Sequence, residues 1–158
     1  MVAILQDIRS LHNVGSIFRT ADAAGVEKLY LCGITPAPLD RFGEVRPPVA
    51  KVSLGAEKTV PWEKCGSIEE CIQKLKKSGY KIIAIEQHPN SVPYNSLFAA
   101  PNSPQKIALV LGAEVKGLPE EILNLADVIT EIPMRGKKES LNVGVAFGVI
   151  AFKIMERS

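Results

Sequence analysis

The chain has 158 residues, 46% of them hydrophobic and 23% charged, a composition typical of one globular domain spanning residues 1–158. Its net charge of +2 neither requires nor excludes nucleic acid, so any basic surface has to be local. No apolar run reaches the ~18 residues of a membrane span, and the start of the chain has no pattern of an export signal, so we expect a cytoplasmic protein.

The first third of the chain predicts a βαβ unit. Residues 2–5 and 28–32 are apolar runs of strand length, and residues 14–24 have a helical pattern. Asn13 is suited to cap this helix and Gly25 to end it.

The middle of the chain alternates irregular and regular segments. Residues 33–61 are rich in proline and are predicted to form a long, largely irregular loop. Ser67 and Glu70 fit a capping box that opens a helix over residues 67–78, and residues 81–86 form the next strand.

Prolines then interrupt the chain, and regular elements resume after them. Residues 107–111 and 128–132 are predicted strands, and residues 119–126 and 142–156 are predicted helices. Strands alternating with helices predict an α/β fold, with a largely parallel sheet flanked by helices and ligands at the carboxyl ends of the strands. The interrupting prolines are Pro89, Pro93, Pro101 and Pro104.

The cysteines predict reduced thiols and no metal site. They are odd in number, lie in no CxxC spacing, and have only His12 and His88 as possible imidazole co-ligands. They are Cys32, Cys65 and Cys71.

The last predicted helix is apolar on every face, with no charge between Asn142 and Lys153. A helix that is apolar all round is buried all round. Because a terminal helix of a small domain normally keeps one face in water, we expect a partner chain to cover it in a homodimer. The alternative is a helix buried wholly inside one chain.

Residues 132–146 place an apolar strand, a charged glycine turn and a helix start in immediate succession. Ser140 and Asn142 are both good N-cap residues, but they stand two apart and cannot both cap one helix. The surplus side chain is therefore available to a ligand.

Two other segments also contain residues that could face a ligand. Arg19 lies in the middle of an otherwise small and apolar predicted helix, where a surface arginine or an ion pair is the structural alternative to a functional role. Gly112 and Gly117 follow a strand in a turn that lets backbone approach a ligand. This turn is neither the GxGxxG dinucleotide fingerprint nor the GxxxxGK[ST] phosphate loop.

Together, N-x-G-S-I-x-R-T-A-x-A-x-G, L-G-A-E-x-x-G-L-P and I-P-M-x-G-x-x-x-S-L-N-V-x-V-A resemble the three motifs of the SpoU/TrmH family, in the family's order, over residues 13–146. These proteins are S-adenosylmethionine-dependent RNA 2′-O-ribose methyltransferases of the SPOUT superfamily. The resemblance implies a SPOUT fold with a C-terminal trefoil knot, S-adenosylmethionine as the cofactor, and a homodimer.

The resemblance also implies the roles of particular residues. The predicted cofactor cradle consists of Gly112, Ile132, Met134, Ser140 and Leu141. The predicted catalytic residues are Asn13, Arg19, Glu114, Ser140 and Asn142.

Among these residues, Arg19 has two possible roles, general base or phosphate clamp. A guanidinium with a pKa above about 12 keeps its proton, so we favour a clamp that grips a phosphate and orients the ribose hydroxyl. Asn142 and Ser140 would place hydrogen-bonding groups near the sugar, and Glu114 would bond groups of the first motif or pair with Arg19.

The expected substrate is tRNA or rRNA, and nothing in the sequence decides between them. One alternative is a SPOUT-like module that binds RNA without catalysing transfer, and another is a Rossmann-type enzyme, which the missing GxGxxG disfavours. Further cations are candidates for phosphate contacts. They are Arg9, Arg41, Arg46, Lys51, Lys137 and Lys138.

Overall fold

A computed structural model describes residues 1–97 and 106–156. Its strands are β1 (Val2–Gln6), β2 (Lys28–Cys32), β3 (Trp62–Cys65), β4 (Lys81–Ile85), β5 (Val92–Pro93), β6 (Ile107–Leu111) and β7 (Val128–Glu131). Its α-helices are α1 (Leu11–Ala24), α2 (Pro47–Ser53), α3 (Ala56–Thr59), α4 (Ile68–Lys77), α5 (Glu120–Leu123) and α6 (Val143–Met155). Tyr94–Ser96 form one 3-10 turn.

The strands form one parallel sheet in the order β3-β2-β1-β6-β4-β7-β5. The central strand β6 is buried along its whole length, as expected of a parallel strand covered on both faces. One face packs against α1, α3 and α6, and the other against α4 and α5. The prediction of an α/β fold with a parallel sheet flanked by helices is confirmed.

The strand order decides where the loops meet. Because all strands run in the same direction, the segments after β4, β6 and β7 leave the sheet at one edge, which we call the carboxyl edge. The order fits the knotted fold that the resemblance implies, and the threading of the chain stays a prediction.

The predicted start of α1 was wrong. Ser10, not Asn13, caps the helix, because the Ser10 hydroxyl accepts a hydrogen bond from the Asn13 backbone amide at 3.2 Å. The side chain of Asn13 points elsewhere and makes long-range bonds. The predicted end at Gly25 is confirmed, with φ of 70° in the left-handed region.

The proline-rich segment is more regular than predicted. It contains α2 and α3, and α2 begins with Pro47 and Pro48 in the first helical turn, where the missing amide protons cost nothing. Val49 and Val52 of α2 pack so closely on α1 that a Cβ at Gly15 would lie 2.5 Å from Val52 Cγ2. The predicted irregular loop therefore supports α1.

The short strands β3 and β5 were not predicted from the sequence, and α5 is shorter than the predicted helix over 119–126. Ser67 caps α4 through the Glu70 amide, as predicted. The predicted breaks at Pro101 and Pro104 lie outside the described residues.

Only one face of α6 is buried within the chain. Phe147, Ile150 and Ile154 are at most 5% exposed, and the glycines of α6 pack against α1. The opposite stripe of Val145, Val149 and Phe152 is 52%, 36% and 48% exposed. Full burial within one chain, the alternative weighed for this helix, is therefore wrong.

Among the residues that the structure describes, no helix combines the length and the apolarity that a membrane crossing needs.

Candidate functional site

A cavity of about 400 Å³ opens at the carboxyl edge of the sheet, above β4, β6 and β7. Two loops form most of its wall. We call residues 112–118, after β6, the Gly112 loop, and residues 132–142, after β7, the Ser140 loop. The first turn of α6 closes the remaining side with Val143 and Ala146.

Every residue of the predicted cofactor cradle lines this cavity. Gly112 belongs to the first loop, and the other four belong to the second. Those four are Ile132, Met134, Ser140 and Leu141. The structure thus brings together residues that lie up to 29 positions apart in the sequence, while their roles stay predictions.

The Gly112 loop is folded tightly enough to require its glycines. A Cβ at Gly112 would lie 2.4 Å from the carbonyl carbon of Gly117, closer than real Cβ atoms approach backbone. Gly117 itself has φ of 65°, in the left-handed region. The loop therefore presents backbone to the cavity.

A chain of hydrogen bonds joins the three motifs. Asn13 Nδ2 donates to Glu114 Oε1 at 2.9 Å, and Asn142 Nδ2 donates to Asn13 Oδ1 at 3.0 Å. Asn142 Oδ1 in turn accepts from the Gly144 backbone amide at 2.9 Å and so caps α6. Asn13 is only 9% exposed, so its amide is a buried bridge between two loops.

Glu114 is held by more than Asn13. The backbone amides of Arg9 and Ser10 also donate to its carboxylate, each at 3.4 Å. Partial burial pushes the pKa of Glu114 upward, but the hydrogen bonds from Asn13 and these amides outweigh it and leave the pKa below its ordinary value. Glu114 therefore bonds groups of the first motif, the first of the two roles predicted for it.

The two polar residues at the mouth of α6 both line the cavity but differ in their hydrogen bonds. Asn142 is the cap, so Ser140 is the surplus residue. Ser140 is exposed and lines the cavity. Its hydroxyl is available to a ligand, as the sequence predicted for one of the pair.

Arg19 does not line the cavity of its own chain. Its side chain is exposed on α1, and within residues 1–97 and 106–156 it forms no ion pair. Arg19 and Glu114 therefore form no ion pair within one chain, and a pair across a dimer stays a prediction. Of the cations predicted to contact RNA, only Arg46 is partly buried, with Nε donating to the Leu39 carbonyl at 3.2 Å. The exposed ones are Arg9, Arg41, Lys51, Lys137 and Lys138.

Several cavity residues were missed from the sequence, and Glu86 and Gln87 are two that bond the surrounding loops. Glu86 Oε2 accepts from the Leu118 backbone amide at 2.9 Å, and Gln87 Nε2 donates to the Glu139 carbonyl at 2.6 Å. The signal available was their position directly after an apolar strand, where parallel sheets bind ligands.

The three cysteines converge elsewhere on the carboxyl edge, which their spacing did not predict. Their sulfur atoms lie within 4.8 Å of one another. Cys32 and Cys65 are register partners on β2 and β3, and Cys71 lies on α4 above them. None forms a disulfide. A hydrogen bond to Cys71 and burial raise the pKa of Cys32, and burial with the nearby Cys71 raises that of Cys65 to about 11.

Comparison with known families gives a match over nearly the whole chain. A model of the SpoU rRNA Methylase family matches residues 1–152. The 23S rRNA (guanosine-2′-O-)-methyltransferase RlmB of Ralstonia nicotianae is 33% identical over 157 residues, covering 99% of this chain and 59% of that protein. The chain thus spans less than two thirds of that relative.

Solved structures show the same fold. The AdoMet-bound rRNA methyltransferase from Sinorhizobium meliloti has a TM-score of 0.84 and 28% identity, over 99% of this chain and 56% of that one. A structure described as giving insights into the 2-OH methylation of C/U34 on tRNA has a TM-score of 0.77 and 26% identity, over 96% of this chain and 91% of that one. The resemblance inferred from the three motifs is confirmed.

Proposed function

We propose that this chain, which belongs to the SpoU rRNA Methylase family, transfers a methyl group from S-adenosylmethionine to a ribose 2′-hydroxyl of tRNA or rRNA. The observation that carries the proposal is the cavity at the carboxyl edge, where all five residues of the predicted cofactor cradle meet. The chain spans only 59% of the RlmB relative, so the activity is inferred from this chain's own site.

The residues present fit this cofactor. A cavity of about 400 Å³ is within the usual range for small-molecule sites. Its apolar lining, which includes Ile132 and Leu141, suits an adenine ring, and the carboxylates of Glu86 and Glu131 suit a cation. When bound, S-adenosylmethionine supplies an electrophilic methyl group on a positively charged sulfur.

The chain's own residues hold the ribose and its neighbouring phosphate. The hydroxyl has to approach the methyl carbon to about 3–3.5 Å, so its nucleotide must be fixed. Ser140 offers a hydroxyl at the cavity, and Asn142, tied to Asn13, keeps the start of α6 in place beside it. Arg19 clamps the phosphate, and the hydroxyl proton leaves late, to a phosphate oxygen or to water.

The protein acts as a homodimer through α6. The exposed stripe of Val145, Val149 and Phe152 is an apolar surface on a helix that is otherwise packed into the core. A second copy covering this stripe is the simplest way to remove it from water, and the interface would be self-complementary. A monomeric mass by light scattering at micromolar concentration would contradict it.

The same dimer accounts for the position of Arg19. Thr20, its neighbour on α1, touches α6 at Gly148, where a Cβ would lie 3.4 Å from Thr20 Cγ2. Because α1 lies alongside α6, we infer that a partner that covers the α6 stripe also reaches the exposed side of α1. Arg19 of one chain thus serves the cavity of the other, which explains why it does not line its own.

Mixed dimers test this arrangement. Arg19→Ala removes the clamp, and Met134→Arg places a cation in the cavity, where it repels the sulfonium. If each site combines both chains, mixing the two inactive variants restores about a quarter of wild-type activity, because half of the dimers are mixed and each has one intact site. No recovery, with dimer exchange verified by mass spectrometry, would place Arg19 in its own chain's site.

The RNA is transfer or ribosomal RNA. The RlmB relative is a 23S rRNA enzyme of which this chain covers 59%, whereas it covers 91% of the structure that concerns C/U34 of tRNA. We further propose one domain over residues 1–158, the trefoil knot, no metal, and a cytoplasmic location.

The activity is tested by incubating the protein with labelled S-adenosylmethionine and total RNA, followed by nucleoside analysis. We expect a 2′-O-methylated nucleoside from tRNA or from rRNA. Binding of the cofactor and RNA without any such product would favour the alternative of an inactive RNA-binding module.

A further inference from the structure

Two consecutive residues at the end of β4 each hold a different wall of the cavity. Glu86 accepts the Leu118 amide of the Gly112 loop, and its other oxygen accepts the Gln87 amide at 3.0 Å. The Gln87 side chain donates to the Glu139 carbonyl of the Ser140 loop at 2.6 Å. Within the described part of the chain, these two side chains connect both loops to one strand.

The strand that carries them is a firm anchor. β4 is hydrogen-bonded to β6 on one side and to β7 on the other. Its residues Ile82, Ile83 and Ala84 are at most 1% exposed. A side chain at the end of such a strand is fixed in position, whereas the Ser140 loop is largely exposed.

Close packing adds to the hydrogen bond on the Gly112 side. The Glu86 carboxylate lies directly under Gly117, where a Cβ would be only 2.2 Å from Oε2. The left-handed turn at Gly117 and the carboxylate therefore fit each other. The position of Glu86, which β4 sets, thus fixes the position of the Gly112 loop.

We propose that Glu86 and Gln87 are positioning residues for the cofactor, and that they set the spacing between the Gly112 and Ser140 loops. The inference rests on the proposed function, because the two loops are taken to hold S-adenosylmethionine. Loosening either loop enlarges the cradle and lowers the affinity for the cofactor, while Arg19 on α1 and the Asn142 side chain, which is tied to Asn13, keep their positions. The effect falls on cofactor KM rather than on kcat at saturation.

Two nearly isosteric variants test the proposal by calorimetric titration with S-adenosylmethionine. Glu86→Gln places an amide donor against one of the two backbone amides, and Gln87→Glu places a carboxylate against the Glu139 carbonyl. Each is expected to weaken the cofactor Kd by about tenfold, the usual size for a lost hydrogen bond to a charged or closely placed group. Steady-state cofactor KM should rise by a similar factor and kcat should fall less than twofold.

Asp127→Asn is the matched control at the other end of β4. Asp127 Oδ2 accepts the Ile82 backbone amide at 2.7 Å, so it too joins a carboxylate to β4, but far from the cavity. This variant should lower the melting temperature and leave the cofactor Kd unchanged. Equal loss of affinity in all three variants would reveal a general stability effect and overturn the proposal.

A double variant, Glu86→Gln with Gln87→Glu, tests whether the two residues act together or independently on cofactor affinity. If the residues act together on loop spacing, the double variant should lose less affinity than the product of the single losses. Wild-type affinity in both single variants would overturn the positioning role of Glu86 and Gln87 and leave the proposed function intact. Failure of the wild-type protein itself to bind S-adenosylmethionine would instead overturn the proposed function.

Discussion

The cavity and the cysteine cluster lie on the same edge of the sheet, and both gather chemically capable side chains from distant segments. At the cavity, Ser140 is exposed beside a space of about 400 Å³, and polar groups such as Glu114 are fixed by hydrogen bonds. At the cluster, Cys32 and Cys71 are buried among apolar side chains.

The two regions differ in how accessible their side chains are to a ligand and in how those side chains ionise. The raised pKa values of Cys32 and Cys65 keep these two thiols protonated near neutral pH, so they pack as small apolar groups, whereas the hydrogen bond with Cys32 lowers the pKa of the buried Cys71. The cavity instead presents backbone, carboxylates and a hydroxyl to a ligand. Proximity of reactive residues therefore indicates a site only where the residues also face space that a ligand can enter.

Substitution of Arg19 is expected to have the largest effect on methyl transfer, whereas substitution in the cysteine cluster should have none. Arg19→Ala should reduce methyl transfer on the order of 100-fold or more, because it removes the charged contact that we propose to the reacting nucleotide. Arg19→Lys should retain a measurable fraction, since a charge remains without the two-pronged grip. Single-turnover transfer to RNA measures both.

Lys77→Ala is the control, an exposed cation on α4 outside the cavity, and it should keep wild-type rates. Equal loss in Arg19→Ala and Arg19→Lys would count against a simple charge effect. A purely structural Arg19 would show itself as a lowered melting temperature with normal transfer.

Removal of the buried bridge should have the next largest effect. Asn13→Ala removes the hydrogen bonds to Glu114 and Asn142. Both partners are exposed and can bond water instead, so the loss is the net value of a hydrogen bond, about 0.5–1.5 kcal/mol. We expect a loss of this size in the free energy of unfolding from urea titration, accompanied by weaker transfer as α6 loses its alignment.

His12→Ala, an exposed neighbour on the same helix, serves as the control and should change neither quantity. Full stability in Asn13→Ala would mean that the bridge contributes nothing to joining the motifs.

The sequence predicted the walls of the cavity well because their signals are local. A strand followed by Gly112 and Gly117 predicts a tight turn, and the apolar run after Asn142 predicts a helix start. The parallel sheet then brings the two turns together. The functional assignment came from the resemblance of whole motifs, not from periodicity.

The failures have a physical cause in long-range pairing. Asn13 satisfies the local rules for a cap, yet its side chain bonds Glu114 and Asn142, 101 and 129 positions away. The cysteine cluster depends on the register that sets Cys32 beside Cys65, and β3 is a short edge strand with few apolar residues. The spacing of cysteines along the sequence cannot predict which residues of two strands become register partners.

The cysteine cluster should tolerate substitution with only a modest loss of stability. Cys71→Ala removes a buried sulfur, and we expect a decrease of about 1 kcal/mol in the free energy of unfolding, as for other small core truncations. Methyl transfer should be unchanged. Loss of transfer at normal stability would place the cluster in the working site, and stoichiometric metal in the purified protein would contradict the prediction of no metal.

The smallest effect concerns the pH dependence of Glu114. Because its pKa is lowered in the folded protein, its contribution to stability is fully present above the unfolded-state value of about 4.3 and is lost as the pH falls through the lower folded-state value. The difference in unfolding free energy between wild type and Glu114→Gln should therefore be constant above about pH 5 and shrink below about pH 4. A difference that grows on acidification would mean that burial outweighs the hydrogen bonds from Asn13, Arg9 and Ser10.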